Sequence, residues 1–483
     1  MASPAIEALK SVFPTEQLAL PGTDEYAKLN SSYLSFLESE IAPAAIFLPK
    51  TADEVAKFIT AIKSYTLNGS AQFAIRGAGQ QPLPGCANVQ GGVTVDLRHL
   101  TGVEVKEGSV AIAAGERWVN VYDKVQQHGL GVTGSRSALG GIGGLALAGG
   151  LSIFSSREGF ICDNVTNFEV VLASGETVNA NASENADLWR ALRGGGNNLG
   201  VVTRFDLRTF PQGTFWGGAV LYFPPSFPGQ VEALVSELNK PDASDETHLM
   251  LSIGYSASYM QLGGTLCMNQ VYHTGPRAAE DGAPAVLDPF VKVSPQVEQL
   301  NSVRSLTLRD AAGEQAAQSA DGVRCAYMNT TVKADAATLN AAAEAYLAAI
   351  EPLKGCEGIT CSLTLQPYSA SLLRKSAELG GNVLGLDAAD GPLVSILALT
   401  WWKDKADDGK IVGTFRKVIE TIDRDAASRG TAVPFKYMNY AWDFQDPIGS
   451  YGDKNKTFLQ EVSRKYDPDG VFQKGVPGGF KLF

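Results

Sequence analysis

Two glycine runs and one tyrosine-rich tetrapeptide are the parts of this 483-residue chain that could do chemistry by type and spacing. The first run is Arg76-Gly77-Ala78-Gly79-Gln80-Gln81, entered from the apolar stretch Phe73 to Arg76. The second extends from Gly140-Gly141 through Gly143-Gly144-Leu145 to Gly149-Gly150. Glycine lets a backbone approach a phosphate closely and turn its N–H groups toward it. A single run of this kind serves equally well as a tightly packed turn. Gly141-x-Gly143-x-x-Ala146 loosely matches a dinucleotide fingerprint, but Thr133 to Ala138 ahead of it is no strand, which disfavours a Rossmann unit. Tyr437-Met438-Asn439-Tyr440 supplies the acid–base candidates, with Tyr440 as base or hydrogen-bonding group and Asn439 to position a ligand. The alternative for Tyr440 is an ordinary buried tyrosine with a satisfied hydroxyl. The four histidines show no pairing with Ser or Cys, and no His/Asp/Glu spacing suggests a metal.

The elements that must hold these residues read as an α+β chain. Ser3 before Pro4 suggests an N-cap and first helical position, with Ile6, Leu9 and Phe13 on one face. Ile46 to Pro49 reads as a strand. Thr51 with Glu54 forms a capping box ahead of Val55, Phe58, Ile59 and Ile62 at helical spacing. Strands follow at 73–76, 93–97, 103–105 and 110–114, a helix at Trp118 to Val125, and a hairpin around Ser174-Gly175. From Trp216 the runs 218–223, 249–255, 265–272, 326–332, 360–365 and 394–402 alternate with helices centred on Leu339 to Ile350 and Ile411 to Ile422. They predict one antiparallel sheet with helices on a face. Side chains alternate along strand 394–402, so either Thr400 and Trp402 or Trp401 face a pocket, and Trp402 is the candidate adopted. Gln366 and Tyr368 end the neighbouring strand. Asp443 and Asp446 are read as turn residues.

The order of motifs resembles the vanillyl-alcohol oxidase / p-cresol methylhydroxylase superfamily, in its berberine-bridge-enzyme-like branch. After the two glycine runs come Cys162-Asp163-Asn164-Val165, Ser174-Gly175, the helix Asn185-Ala186-Asp187-Leu188-Trp189-Arg190-Ala191-Leu192-Arg193 with Gly194-Gly195-Gly196, and Gly200-Val201-Val202-Thr203. The resemblance spans about residues 43–211. It implies a p-cresol methylhydroxylase-type FAD-binding domain over 1–212, with its core at about 40–212. A substrate domain follows over 213–432, built on the antiparallel sheet, and 433–483 returns to the first domain. It further implies that Arg76, Gly77, Ala78, Gly79, Gln80, Gln81, Gly134, Ser135, Ser137, Gly140, Gly141, Gly144, Leu145 and Gly150 contact FAD. Cys162, Asp163, Asn164, Gly200, Val201, Val202, Tyr437 and Asn439 would do so too, with Tyr440, Asn439 and Trp402 catalytic.

Two departures qualify the resemblance. Many members of the branch bond the flavin through a histidine where Gln80 stands, and no histidine lies between Arg76 and Arg98. Bicovalent members add a cysteine aligning near Ser137, and residues 134–150 hold no cysteine. FAD is therefore expected to bind without a covalent link. Two functions follow from the resemblance. One is oxidation of a small organic molecule with O₂ as acceptor, as in secondary metabolism. The other is a cyclisation or isomerisation with little net redox change.

Bulk properties bound the rest. A net charge of −11 with no basic cluster argues against nucleic acid and anionic membranes as partners. The first residues lack the charged and apolar regions of a secretory signal, so a cytoplasmic location is expected. The six cysteines are scattered and are expected to be reduced and mostly buried.

Overall fold

In the computed structural model, residues 4–276, 282–318 and 322–483 are described. Ser3, expected to cap the first helix, lies outside them. That helix, Pro4–Val12, buries Ile6 and Leu9. Thr51 caps helix Ala52–Leu67 by accepting from the Glu54 N–H at 3.2 Å. The Glu54 carboxylate reaches back to the Lys50 N–H at 2.6 Å, one residue earlier than a capping box requires. Val55, Phe58, Ile59 and Ile62 are fully buried on one side of this helix, each contributing about 1.5–3 kcal/mol of apolar burial.

Helix Ala52–Leu67 packs beside a four-stranded sheet ordered Leu18–Ala19, Ala45–Phe47, Val93–Asp96, Phe73–Arg76. The last three strands run parallel. A second, antiparallel sheet joins Val103–Lys106, Ser109–Ala113, Val201–Pro211, Val165–Val171 and Thr177–Asn181, with Leu130–Val132 pairing the end of Val201–Pro211. One hydrophobic core serves both sheets. It also takes in Leu306, Leu372 and Leu384 from mid-chain and Leu459, Val462 and Phe472 from the end. The Phe472 ring meets Phe73 edge-on at 6.1 Å, so the last residues are part of the support for the strand entering the first glycine run.

The third sheet has eight strands, all antiparallel, ordered Arg304–Leu306, Phe215–Tyr222, Thr265–His273, Thr247–Ser256, Thr360–Tyr368, Leu393–Trp402, Arg324–Lys333, Ala432–Val433. Helices Phe227–Leu238, Ala336–Ile350 and Asp408–Arg429 cover one face and form a second core with it. Strand periodicity makes the other face a separate surface. The expected sheet-with-helices is present. After Val433 the chain runs as coil through a short 3-10 turn at Met438–Tyr440, then closes with helices Pro447–Ser450, Asp453–Tyr466 and Val471–Gly475. Among the described residues no helix is long and apolar enough to cross a membrane.

Candidate active site

The uncovered face of the large sheet and the two glycine runs enclose one cavity of about 1050 Å³. Arg76 fixes the first run without touching the cavity. Its guanidinium lies 3.6 Å from the Tyr33 ring centroid and 3.3 Å from the Asp96 carboxylate. It donates to the Leu29 carbonyl at 2.8 Å and to Ser32 Oγ at 2.9 Å. Gly79 folds over this cluster at φ +67°, where a Cβ would sit 2.9 Å from both Arg76 Nε and the Tyr33 ring. The chain then presents Gly77, Ala78, Gly79, Gln80 and Gln81 to the cavity.

Arg117 joins the two runs. It donates to the Ala78 carbonyl at 3.3 Å and to the Leu139 carbonyl. A Cβ on Gly141 would meet the Ala78 Cβ at 2.6 Å, so the loops touch there. Gly77, Gly143 and Gly144 behave differently. A Cβ would find nothing nearer than 3.9 Å at Gly77 and 3.7 Å at Gly143, and nothing within 4 Å at Gly144. No packing contact requires glycine at these three positions, and all three line the cavity. They keep clear a space that the chain itself does not fill. That is what a phosphate-bearing cofactor held by backbone N–H groups needs, and the residues present fit FAD.

Of the residues expected to contact the cofactor, Ser135, Ser137, Gly140, Gly141, Gly144, Leu145, Gly200, Val202, Tyr437 and Asn439 also line the cavity. Arg76, Gly134, Gly150, Cys162, Asp163, Asn164 and Val201 lie behind the wall. Gly134 packs so tightly that a Cβ would strike the Trp118 ring at 2.3 Å. Gly150, at φ +85°, is crowded by Ile161. The Ile161 and Cys162 N–H groups donate to the Gly150 and Gly149 carbonyls at 2.9 and 2.8 Å. Asp163 and Asn164 anchor this support from below. Asp163 accepts from the Phe160 N–H at 2.8 Å, from Asn382 at 2.8 Å and from Ser376. Asn164 donates to the Glu158 and Phe160 carbonyls at 2.8 and 2.9 Å. These residues are spent on protein contacts and shape the cradle from outside.

Register defines the substrate side. Leu397, Leu399 and Trp401 line the cavity, whereas Ile396, Ala398 and Trp402 belong to the helix-side core. Trp402 is therefore not a site residue. It is fully buried and donates its indole N–H to Asp408 at 2.7 Å. Trp401 takes the place expected for it. Across the sheet, Trp401 aligns with Thr360 and Ser256, Leu399 with Ser362 and Gly254, and Leu397 with Thr364 and Ser252. Ser252 and Thr364 share a hydrogen bond of 2.9 Å.

Tyr440 is half-buried on the cavity wall. It accepts a hydrogen bond from Arg136 at 2.6 Å and donates to Gln366 Oε1 at 3.3 Å. Arg136 also donates to Gln366 Oε1 at 2.8 Å. Tyr327 and Tyr437 meet the Tyr440 ring edge-on at 6.1 and 4.8 Å. Burial holds the Tyr437 phenol protonated, well above the usual tyrosine range. Asn439 reaches the wall, but its amide N–H groups go to the Ala148 carbonyl at 3.2 Å and the Tyr437 hydroxyl at 2.9 Å. Its amide N–H groups thus tie Tyr437 to the second glycine run. Cys86 is on the wall, and burial raises its thiol far above the usual range, which leaves it a poor nucleophile. None of the four histidines lines the cavity.

Sequence reasoning missed Arg136, Tyr327 and Asn197 among the wall residues. Arg136 sits between Ser135 and Ser137, both of which were expected, and no spacing rule singled it out. Its partners, Met250, Gln366 and Tyr440, all come from positions more than 100 residues away.

Residues 43–181 match the family model described as an FAD binding domain. The chain is 37% identical over 452 residues to an FAD-dependent monooxygenase of Cochliobolus heterostrophus, covering 91% of this chain and 85% of that one. It is 35% identical over 465 residues to an FAD-dependent monooxygenase of Fusarium proliferatum, covering 94% and 87%. Among solved structures, 6-hydroxy-D-nicotine oxidase of Arthrobacter nicotinovorans superimposes with a TM-score of 0.77 at 20% identity, over 99% of both chains. A berberine bridge enzyme variant in complex with (S)-reticuline does so with a TM-score of 0.76 at 15% identity, over 97% of both chains. At these identities the structures share the fold.

Proposed function

The chain belongs to the berberine-bridge-enzyme-like FAD-linked oxidoreductases, and from that premise we propose that it binds FAD without a covalent bond and oxidises a small organic molecule with O₂ as acceptor. Residues 1–212 and 433–483 hold the cofactor in this reading and lend Arg136 and Tyr440 to the substrate side, whose remaining wall comes from 213–432. One observation carries it: a single cavity runs from the open glycines Gly77, Gly143 and Gly144 to the cluster of Arg136, Gln366 and Tyr440.

The Gly77 to Gln81 and Gly140 to Leu145 segments would hold FAD, which supplies the redox chemistry when bound. The chain's own residues bind and orient the substrate and exclude water. Leu397, Leu399, Trp401 and Tyr327 offer an apolar and aromatic wall. Tyr440, held by Arg136 and Gln366, is the group placed to exchange a proton with a substrate oxygen. Gln80 and the cysteine-free segment 134–150 support non-covalent attachment, as does the protonated Cys86 thiol.

Acid precipitation of the yellow protein tests the attachment: flavin in the supernatant supports it, and flavin in the pellet overturns it. The names of the fungal relatives favour net redox chemistry over cyclisation, and they also favour a second reading in which an oxygen atom enters the product. Turnover under ¹⁸O₂ separates the two. Labelled peroxide with unlabelled product marks an oxidase, and labelled product marks a monooxygenase.

A further inference from the structure

We propose that Arg136 is the receptor for an anionic oxygen on the substrate, and that the substrate is a flat aromatic compound carrying a carboxylate or phenolate; this rests on the oxidoreductase reading above. Arg136 and Glu314 are the charged side chains among the described residues of the cavity wall. Glu314 is already committed, accepting from Ser302 at 3.0 Å and pairing with Arg304. Arg136 has no ion-pair partner among the described residues, and the oxygens it touches, Tyr440 Oη and Gln366 Oε1, are both on neutral side chains. The nearby His248 adds no charge. Burial first, and then Arg136, push its pKa down to about 3.

A half-buried guanidinium without a counter-charge is costly unless a ligand supplies one. A guanidinium forks onto two acceptors at once, and carboxylate and phenolate oxygens are the strongest it meets. Beyond Arg136 the wall turns aromatic in steps. Tyr440 meets Tyr327 at 6.1 Å between ring centroids, and Tyr327 meets Trp401 at 6.5 Å, both edge-on. The Trp401 indole N–H is buried and lacks a protein acceptor. A flat ring system anchored on Arg136 would lie along these aromatic residues, with an acceptor oxygen for Trp401 at its far end. The Ser252, Ser362 and Thr364 hydroxyls line the floor between, suited to ring hydroxyl or carbonyl groups.

The negative charge could instead belong to the bound cofactor, and the experiment separates the two sources. The holoenzyme is titrated with 2-naphthoate and with its neutral isostere 2-naphthamide, read by the shift of the flavin absorption band and by calorimetry. Wild type is expected to prefer naphthoate by at least about tenfold, the usual worth of a charge-assisted hydrogen bond. Arg136→Gln should bring that ratio near one with flavin content unchanged, and Arg136→Lys should keep part of it. Equal affinities in wild type, or a preference that survives Arg136→Gln, overturn the proposal. Loss of flavin in Arg136→Gln assigns the cation to the cofactor and also overturns it. A wild-type protein that never holds flavin defeats the oxidoreductase reading itself, whereas flavin binding without the naphthoate preference defeats this inference alone.

Discussion

Arg136 and Tyr440, 304 positions apart in the chain, are in hydrogen-bond contact at 2.6 Å. The arginine comes from the loop before the second glycine run, and the tyrosine from the 3-10 turn of the returning C-terminal segment. Their meeting point faces the large sheet, where Gln366 contacts both. Three distant parts of the chain thus converge on one hydroxyl.

Removing that hydroxyl tests whether it does chemistry. Tyr440→Phe keeps the ring and its edge-on contacts with Tyr327 and Tyr437. Thermal stability and flavin content should stay as in wild type. The rate of flavin bleaching by substrate under anaerobic conditions should fall by about 10²–10⁴-fold, the range for loss of a positioned acid–base group. A loss under threefold would make Tyr440 a wall residue only.

The open glycines give a prediction with opposite signs for folding and binding. Gly144→Leu adds a side chain where nothing lies within 4 Å, inside helix Ile142–Leu147. The apoprotein should be as stable as wild type, or up to about 1 kcal/mol more stable from helix propensity. Flavin content should fall at least about tenfold, because a Leu side chain there would displace a well-bound ligand group. Urea melts paired with the ratio of visible to ultraviolet absorbance read both. Gly150→Ala should instead destabilise the fold, because Gly150 combines φ +85° with a close approach to Ile161.

Much of this arrangement could be read in the sequence. Glycine runs, helix stripes and strand periodicity are local signals, and they placed Phe73–Arg76, Ala52–Leu67 and the six long strands of the large sheet within a few residues, while the short strands Leu18–Ala19, Leu130–Val132 and Arg304–Leu306 carry too few residues to show a period. Parity was harder. Trp401 and Trp402 have equal claim by composition, and only the pairing of Leu393–Trp402 with its neighbours fixes which one faces the helices. Asp163 and Asn164 looked like ligand contacts because they sit in a motif, yet their polar atoms are consumed by the backbone of 158–164 and by Ser376, Asn382 and Arg208. Arg136 had no local mark at all, since its meaning depends on Gln366 and Tyr440.

The two tryptophans should separate cleanly under mutation. Trp402→Phe removes a donor from the buried face of Asp408 and should cost about 1–3 kcal/mol in unfolding free energy. Trp401→Phe should leave stability within about 0.5 kcal/mol and raise KM with little change in kcat. Urea melts and steady-state kinetics on both variants test the assignment. The reverse pattern would mean that the register of Leu393–Trp402 has been misread.

The support under the first glycine run should be a stability determinant. Arg76 and Asp96 are both fully buried and lie 3.3 Å apart. Arg76→Met leaves the Asp96 carboxylate with Arg98 alone, at 2.8 Å, and should cost about 3–5 kcal/mol. The Arg76→Met/Asp96→Asn double variant should cost less than the sum of the single changes, because it leaves no uncompensated charge. Additive losses would show that Arg76 acts through its carbonyl and Tyr33 contacts and not through the ion pair.

Two buried groups should shape stability between pH 4.5 and 6.5 in opposite directions. His248 is held down to about 3 by burial and by Arg136, so in this window the unfolded chain takes up a proton that the folded chain refuses. Stability from this group is complete above its unfolded value near 6.5 and is lost as the pH falls. Glu38 is held up to about 7, chiefly by burial and against the hydrogen bonds from the Ala87 and Gly85 N–H groups. Its folded form keeps a proton that the unfolded chain releases above pH 4.5, so its contribution is lost as the pH rises toward 7. The two slopes oppose each other, and wild-type unfolding free energy should be nearly flat across the window. His248→Gln should leave a downward slope with rising pH of up to about 1.4 kcal/mol per unit, the value for one proton. Glu38→Gln should leave an upward slope of similar size. Urea melts at intervals of half a pH unit measure both slopes, and parallel profiles for wild type and the two variants would rule out this account.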